Sequence, residues 1–148
     1  MTTTLAIANQ KGGVGKTTVA TQIAFDLALR RAKKVLYIDM DAQGNGTSVL
    51  KKGEEIVGPE AHDLFDTSLE IVEPQSSNSP GIDIIPTRSN SVISCSLEGL
   101  SDDCIPDPRR QLDKIRDRYD VIVIDCPPNL GVKLKASLTM ADAVLCPI

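Results

Sequence analysis

The chain has 148 residues, a formal net charge of −4, 41% hydrophobic and 24% charged residues, a composition that suits one ordinary globular domain. The acidic balance excludes a global electrostatic footprint for nucleic acid, and no apolar run reaches the ~20 residues that a membrane helix needs. No charged-then-apolar leader is visible at the N-terminus, so a cytoplasmic location is expected.

Two Tyr, two Phe and no Trp make the expected core aliphatic. Thr4 to Ala8 reads as a short buried strand and Asn9 to Gly15 as a Gly-rich turn. From Lys16 a helix follows, with Val19/Ala20, Ile23/Ala24 and Leu27/Ala28 repeating at helical spacing. Arg30, Arg31, Lys33 and Lys34 close it, where cations suit the negative end of the helix dipole. Val35 to Ile38 is a second buried strand ending at Asp39, and Met40 to Gly46 reads as a polar loop. Ala61 to Phe65 reads as a short helix, and Glu73 to Gly81, rich in Pro, Ser and Asn, as a surface loop. Ile82 to Pro86 is a third strand, and Thr87 to Asp107 is mainly loop with one helical turn. A helix is predicted from Pro108 to Arg118, with Asp107 as N-cap and Leu112 and Ile115 inward. Val121 to Ile124 is the strongest strand signal, ending at Asp125, and Pro127-Pro128 then forces a non-helical turn. Residues 131–140 read as helix and Ala143 to Cys146 as a last buried strand.

Alternating strands and helices predict an α/β fold, a mostly parallel sheet flanked by helices on both faces. A buried parallel strand this close to Ile148 lacks its cover, which predicts that residues 1–148 are the N-terminal part of a longer domain. The four cysteines have no CxxC or zinc-ligand spacing and read as free thiols, Cys126 and Cys146 in the core, Cys95 and Cys104 in loops.

A strand, a Gly-rich turn and a helix together make an anion site. The first N–H groups of a helix have no partner within it and carry partial positive charge. Gly12, Gly13 and Gly15 let the backbone curl around phosphates where a Cβ would intrude. Lys16 adds a full charge toward the β- and γ-phosphates, the Thr17 hydroxyl is the expected Mg²⁺ ligand, and Thr18 reaches the α-phosphate. Gly15-Lys16-Thr17 completes the end of G-x-x-x-x-G-K-[ST], whereas Gln10 stands where its first Gly falls. Asp39 and Asp125 each end an aliphatic strand, so both are expected in the crevice beyond the carboxyl ends of the sheet.

The run Lys11-Gly12-Gly13-Val14-Gly15-Lys16-Thr17-Thr18 resembles the deviant Walker A loop of the ParA/MinD family of P-loop ATPases. Asp125, in Ile122-Val123-Ile124-Asp125-Cys126-Pro127-Pro128, resembles the Walker B aspartate. Asp39-Met40-Asp41-Ala42-Gln43-Gly44-Asn45 is similar to the ParA/Soj branch, with Ala42 in place of a usual Pro, a departure expected to loosen the loop. The resemblance implies a P-loop NTPase-like fold and ATP with Mg²⁺ as ligands. It implies a metal shell of Thr17, Asp125 and a supporting Asp39, and Asp41 orienting the attacking water. It also implies that Lys11 acts in trans on a partner's ATP within an ATP-dependent homodimer. By the same resemblance the function is DNA segregation of plasmid or chromosome, with a ParB-type partner, non-specific DNA and a nucleoid-associated location. A MinD-like membrane-cycling ATPase and an ATP-binding scaffold with little hydrolysis are the alternatives; the Gln43-Gly44-Asn45 run argues against the first. An iron–sulfur carrier would need cysteine ligand motifs, which the settings of Cys95 and Cys126 do not match.

Overall fold

The computed structural model describes residues 1–11 and 13–148, so Gly12 lies outside the described residues. Strands β1 (Thr3–Ile7), β2 (Val35–Asp39), β3 (Gln75–Ser76), β4 (Ile82–Ile85), β5 (Val121–Asp125) and β6 (Ala143–Leu145) form one six-stranded sheet in the order β3-β4-β2-β5-β1-β6. Every pairing is parallel except that of β3 with β4. The helices are α1 (Lys16–Phe25), α2 (Asn45–Lys51), α3 (Val92–Ser96), α4 (Asp107–Asp113) and α5 (Val132–Met140).

The aliphatic runs of β2 and β5 are buried on both faces because the side-chain period of a strand is two. Val35, Tyr37, Val123 and Ile7 pack against Ala20 and Ala24 of α1 and Leu50 of α2. Leu36, Ile38, Ile122 and Ile124 face the other way, onto Leu112 and Ile115 near α4 and Leu134 and Met140 of α5. Leu112 and Ile115 point inward as their spacing predicts, each worth about 1.5–3 kcal/mol of transfer free energy. Helices therefore cover both faces of a mostly parallel sheet.

Several local expectations are corrected. The 40–46 loop is cut short by α2, which begins at Asn45. Its start is capped from outside the helix, by the Asp39 carboxylate accepting from the Thr47 amide at 2.8 Å. The 73–81 segment contains β3, a two-residue strand made by pairing with β4. Between Thr87 and Asp107 there is more than one helical turn, because α3 is followed by 3₁₀ turns at Leu97–Gly99 and Asp102–Cys104. Helix α4 has Asp107 as its first residue and Pro106 as N-cap, and a separate 3₁₀ turn covers Arg116–Arg118. The last strand is not buried: β6 sits at the sheet edge with every residue exposed, and Cys146 is exposed too. Cys126 is buried as expected, and all four thiols are free.

Candidate nucleotide-phosphate site

β1 leads into a turn in which Gly13 and Gly15 have φ of 73° and 78°, a left-handed conformation that side chains resist. Gly15 is the N-cap of α1 and offers no side-chain cap, so the first amides of the helix are open to an anion. These residues line a cleft of about 270 Å³ formed by Gly13, Gly15, Lys16, Thr17, Thr18, Asp41, Asn45 and Pro128. The phosphate loop, Asp41 and the turn after β5 are thus brought together from three distant stretches of chain. Lys11 is exposed, and its amide donates to Asn9 Oδ1 at 2.8 Å. Val14 is half-buried and, like Lys11, is not among the lining residues. Larger clefts of about 500 and 380 Å³ lie near Lys33, Lys34, Asp120 and the 76–83 hairpin, at the opposite ends of the strands. Ligands of open α/β sheets bind beyond the carboxyl ends, which favours the smaller cleft.

Asp39 and Asp125 are register partners at the carboxyl ends of β2 and β5, and both are fully buried. Thr17 Oγ1 donates to Asp125 Oδ2 at 2.8 Å, and the Tyr37 hydroxyl donates to the same oxygen at 2.9 Å. Asp125 Oδ1 is buried without a hydrogen-bond partner among the described residues. Asp39 is satisfied instead: Oδ2 accepts from the Thr47 hydroxyl at 2.7 Å and the Thr47 amide at 2.8 Å, and Oδ1 from the Asp41 amide at 3.2 Å. Thr87 closes this network, its hydroxyl donating to the Asp39 carbonyl at 2.7 Å and its amide to Thr47 Oγ1 at 3.0 Å.

Burial, and then the charge of Asp125, push the Asp39 carboxyl up to about 7. Burial likewise raises Asp125, against the hydroxyls of Thr17 and Tyr37 and, more weakly, the Lys16 ammonium, which pull it down. Two adjacent buried carboxyls that resist ionisation are an environment that a cation would relieve. Among the described residues no group of three or more His, Cys, Asp or Glu converges on one point. A soft or all-protein metal cage is therefore a poor fit, whereas Mg²⁺ fits well. It takes hard oxygens, keeps several waters, and needs one or two protein ligands beside substrate phosphates. The unpaired Asp125 Oδ1 beside the Thr17 hydroxyl supplies that chemistry.

Tyr37, Thr47 and Thr87 were not singled out by sequence reasoning. Tyr37 carried a usable signal, since it is the one hydroxyl in the aliphatic run Val35 to Ile38. Thr47 and Thr87 carried none, because their roles depend on α2 packing against the distant segment that follows β4.

The chain matches the family model AAA_31, an AAA domain, over residues 2–148. Sporulation initiation inhibitor protein Soj of Bacillus subtilis (strain 168) is 33% identical over 151 residues, covering 97% of this chain and 57% of the relative. Chromosome partitioning protein ParA of Caulobacter vibrioides (strain NA1000 / CB15N) is 36% identical over 153 residues, covering 97% of this chain and 55% of the relative. A solved structure of cobyrinic acid a,c-diamide synthase from Mycobacterium smegmatis, with bound ADP and magnesium, superposes with a TM-score of 0.85 at 30% identity, covering 100% of this chain and 60% of that one. The chain thus spans a little over half the length of the curated relatives it matches. With its phosphate-loop sequence, its strand-end aspartates and a match running almost from end to end, the chain belongs to the AAA_31 family and, within it, to the ParA/MinD-like ATPases.

Proposed function

We propose that this chain is the nucleotide-binding core of a ParA-like partition ATPase that binds and hydrolyses ATP with Mg²⁺. One observation carries the reading: the Thr17 hydroxyl is bonded to Asp125 at the uncapped start of α1, and Asp125 Oδ1 is left buried without a partner among the described residues. The arrangement is that of a phosphate cradle with a hard-oxygen donor beside it. The solved relative with bound ADP and magnesium supports the same ligand pair.

In this reading the amides of residues 13–18 and the Lys16 ammonium hold the triphosphate. Thr17 and Asp125 would hold Mg²⁺, which would supply charge neutralisation across the phosphates. Asp39 stays behind the metal shell, where it fixes α2 and the Asp41 amide. Asp41 lines the cleft and orients the water that displaces ADP from the γ-phosphorus. Lys11, which is exposed, reaches a second copy's ATP and makes the homodimer depend on the γ-phosphate. The name of the ParA relative, a chromosome partitioning protein, supports DNA segregation, of chromosome or plasmid, as the task. A ParB-type partner, non-specific DNA and a cytoplasmic, nucleoid-associated location complete the proposal. No helix among the described residues is long and apolar enough to cross a membrane.

The test is calorimetric titration with Mg-ATP, followed by turnover with and without DNA and a ParB-type protein. Binding by the parent and its loss in Lys16→Ala are expected, because the phosphates lose their main counter-charge. Unchanged affinity in that variant overturns the assignment, and binding without turnover under any condition leaves only the scaffold reading.

A further inference from the structure

We propose that Tyr37 is a positioning residue for the magnesium site, holding the Asp125 carboxylate by its hydroxyl so that Oδ1 faces the metal. The inference rests on the Mg-nucleotide reading above and adds a residue to it.

Tyr37 is fully buried in β2, among Val35, Leu36 and Ile38. A hydroxyl placed in an apolar layer is costly unless it is bonded, so its partner matters. That partner is Asp125 Oδ2, at 2.9 Å. The geometry follows from register. Tyr37 pairs with Val123 and Asp39 with Asp125 across two parallel strands, so the odd-numbered residues of both strands share the face under α1 and α2. The phenol lies along that face and its hydroxyl reaches the carboxylate at the end of the neighbouring strand.

Two donors converge on one oxygen of Asp125, Thr17 from the helix side and Tyr37 from the sheet side. A carboxylate gripped by a single hydroxyl can still turn about its Cβ–Cγ bond. Gripped from two directions at Oδ2, it presents Oδ1 in one orientation, and Oδ1 is the oxygen without a partner among the described residues. The two donors differ in one respect. Thr17 is itself an expected metal ligand, so its oxygen is shared with the ion. Tyr37 lies beneath the carboxylate, outside the cleft lining, and has no competing task.

The space for the phenol is made by a neighbour. A Cβ added to Gly46 of α2 would lie 2.4 Å from the Tyr37 hydroxyl oxygen and 2.7 Å from its Cε1. The glycine in α2, the tyrosine in β2 and the aspartate in β5 are thus a matched set, in which α2 closes over the ring that orients the metal-facing carboxylate.

The experiment uses Tyr37→Phe, which keeps the ring and removes only the hydroxyl. A fluorescent ADP analogue is titrated into parent and variant, first without divalent metal and then with rising Mg²⁺. The thermal midpoint without metal checks that the variant is folded. Loss of an outer partner of a metal ligand costs about 10–100-fold in metal affinity. The Mg²⁺ concentration for half-maximal effect is therefore expected to rise about tenfold, with metal-free nucleotide affinity unchanged. An unchanged Mg²⁺ midpoint in a folded variant overturns the inference and leaves Tyr37 as packing. A parent that binds no nucleotide, or binds it without regard to Mg²⁺, overturns the underlying reading instead.

Discussion

Asp39 and Asp125 are direct register partners on adjacent parallel strands, yet their carboxylates are held by different donors and end in opposite states. Asp39 is saturated by Thr47 and the Asp41 amide, whereas Asp125 keeps one oxygen unpaired among the described residues. The pair thus differs within one register position: Asp39 ties α2 and the Asp41 amide together, and Asp125 takes its donors from Thr17 and Tyr37.

The first prediction concerns pH. Burial and the Asp125 charge lift Asp39 from the ordinary 3.8 to about 7 in the folded protein. Between those values the native state binds more protons than the unfolded chain, so stability falls as pH rises. The contribution is full below about 4 and is lost as pH passes about 7. Asp39→Asn cannot ionise, so without metal it gains on the parent between pH 4 and 8, by on the order of 2–4 kcal/mol. Thermal midpoints across that range check it, and parallel curves for the two proteins contradict it.

Thr47→Val removes the donor at 2.7 Å from Asp39 and the acceptor at 3.0 Å from the Thr87 amide while keeping the shape. Leaving two buried polar groups short of a partner costs about 1–3 kcal/mol. A midpoint lower by roughly 3–10 °C is expected in a thermal melt. No change in the melt would mean that water takes over both bonds.

Asp41→Ala removes the carboxylate at the cleft wall without touching the phosphate turn. Nucleotide affinity should stay within about threefold while turnover falls about 100-fold or more, the scale of a positioned carboxylate in proton chemistry. Parent-like turnover would remove Asp41 from the mechanism.

Lys11→Ala should leave nucleotide binding by the monomer intact, because Lys16 and not Lys11 lines the cleft. Sedimentation with Mg-ATP should show the parent dimerise and the variant remain monomeric. Turnover should fall on the order of 10³-fold, the scale of a cation supplied in trans. A normal dimer in the variant speaks against a role across the interface.

Much of the frame was legible because its signals are local. Val121 to Asp125 reads as a buried strand with an acid at its end, and the glycines before Lys16 read as a phosphate turn. What escaped was set by distant partners. Helix α2 has no side-chain cap of its own, since the group that accepts its Thr47 amide is Asp39, back in β2. The two residues of β3 have no strand pattern until β4 lies beside them. The exposure of β6 follows from its place at the sheet edge, which an apolar run does not encode. Tyr37 looked like one more core residue because its function lies in the direction of one oxygen.

Ala42 stands where the related loop pattern has a proline, and the loop that carries Asp41 is fastened in another way. The Ala42 carbonyl accepts from the Asn90 amide at 3.0 Å, and a Cβ on Gly44 would fall 2.6 Å from the Thr87 carbonyl oxygen. The 87–90 segment is itself tied to buried Glu60, which accepts from the Arg88 amide at 2.7 Å. Stiffness that a ring would have built into the loop is borrowed from a stretch that does not itself line the cleft. Insertions or deletions between Thr87 and Asn90 would therefore be felt at Asp41, and mutational tolerance there should be far lower than the exposure of Arg88, Ser89 and Asn90 suggests.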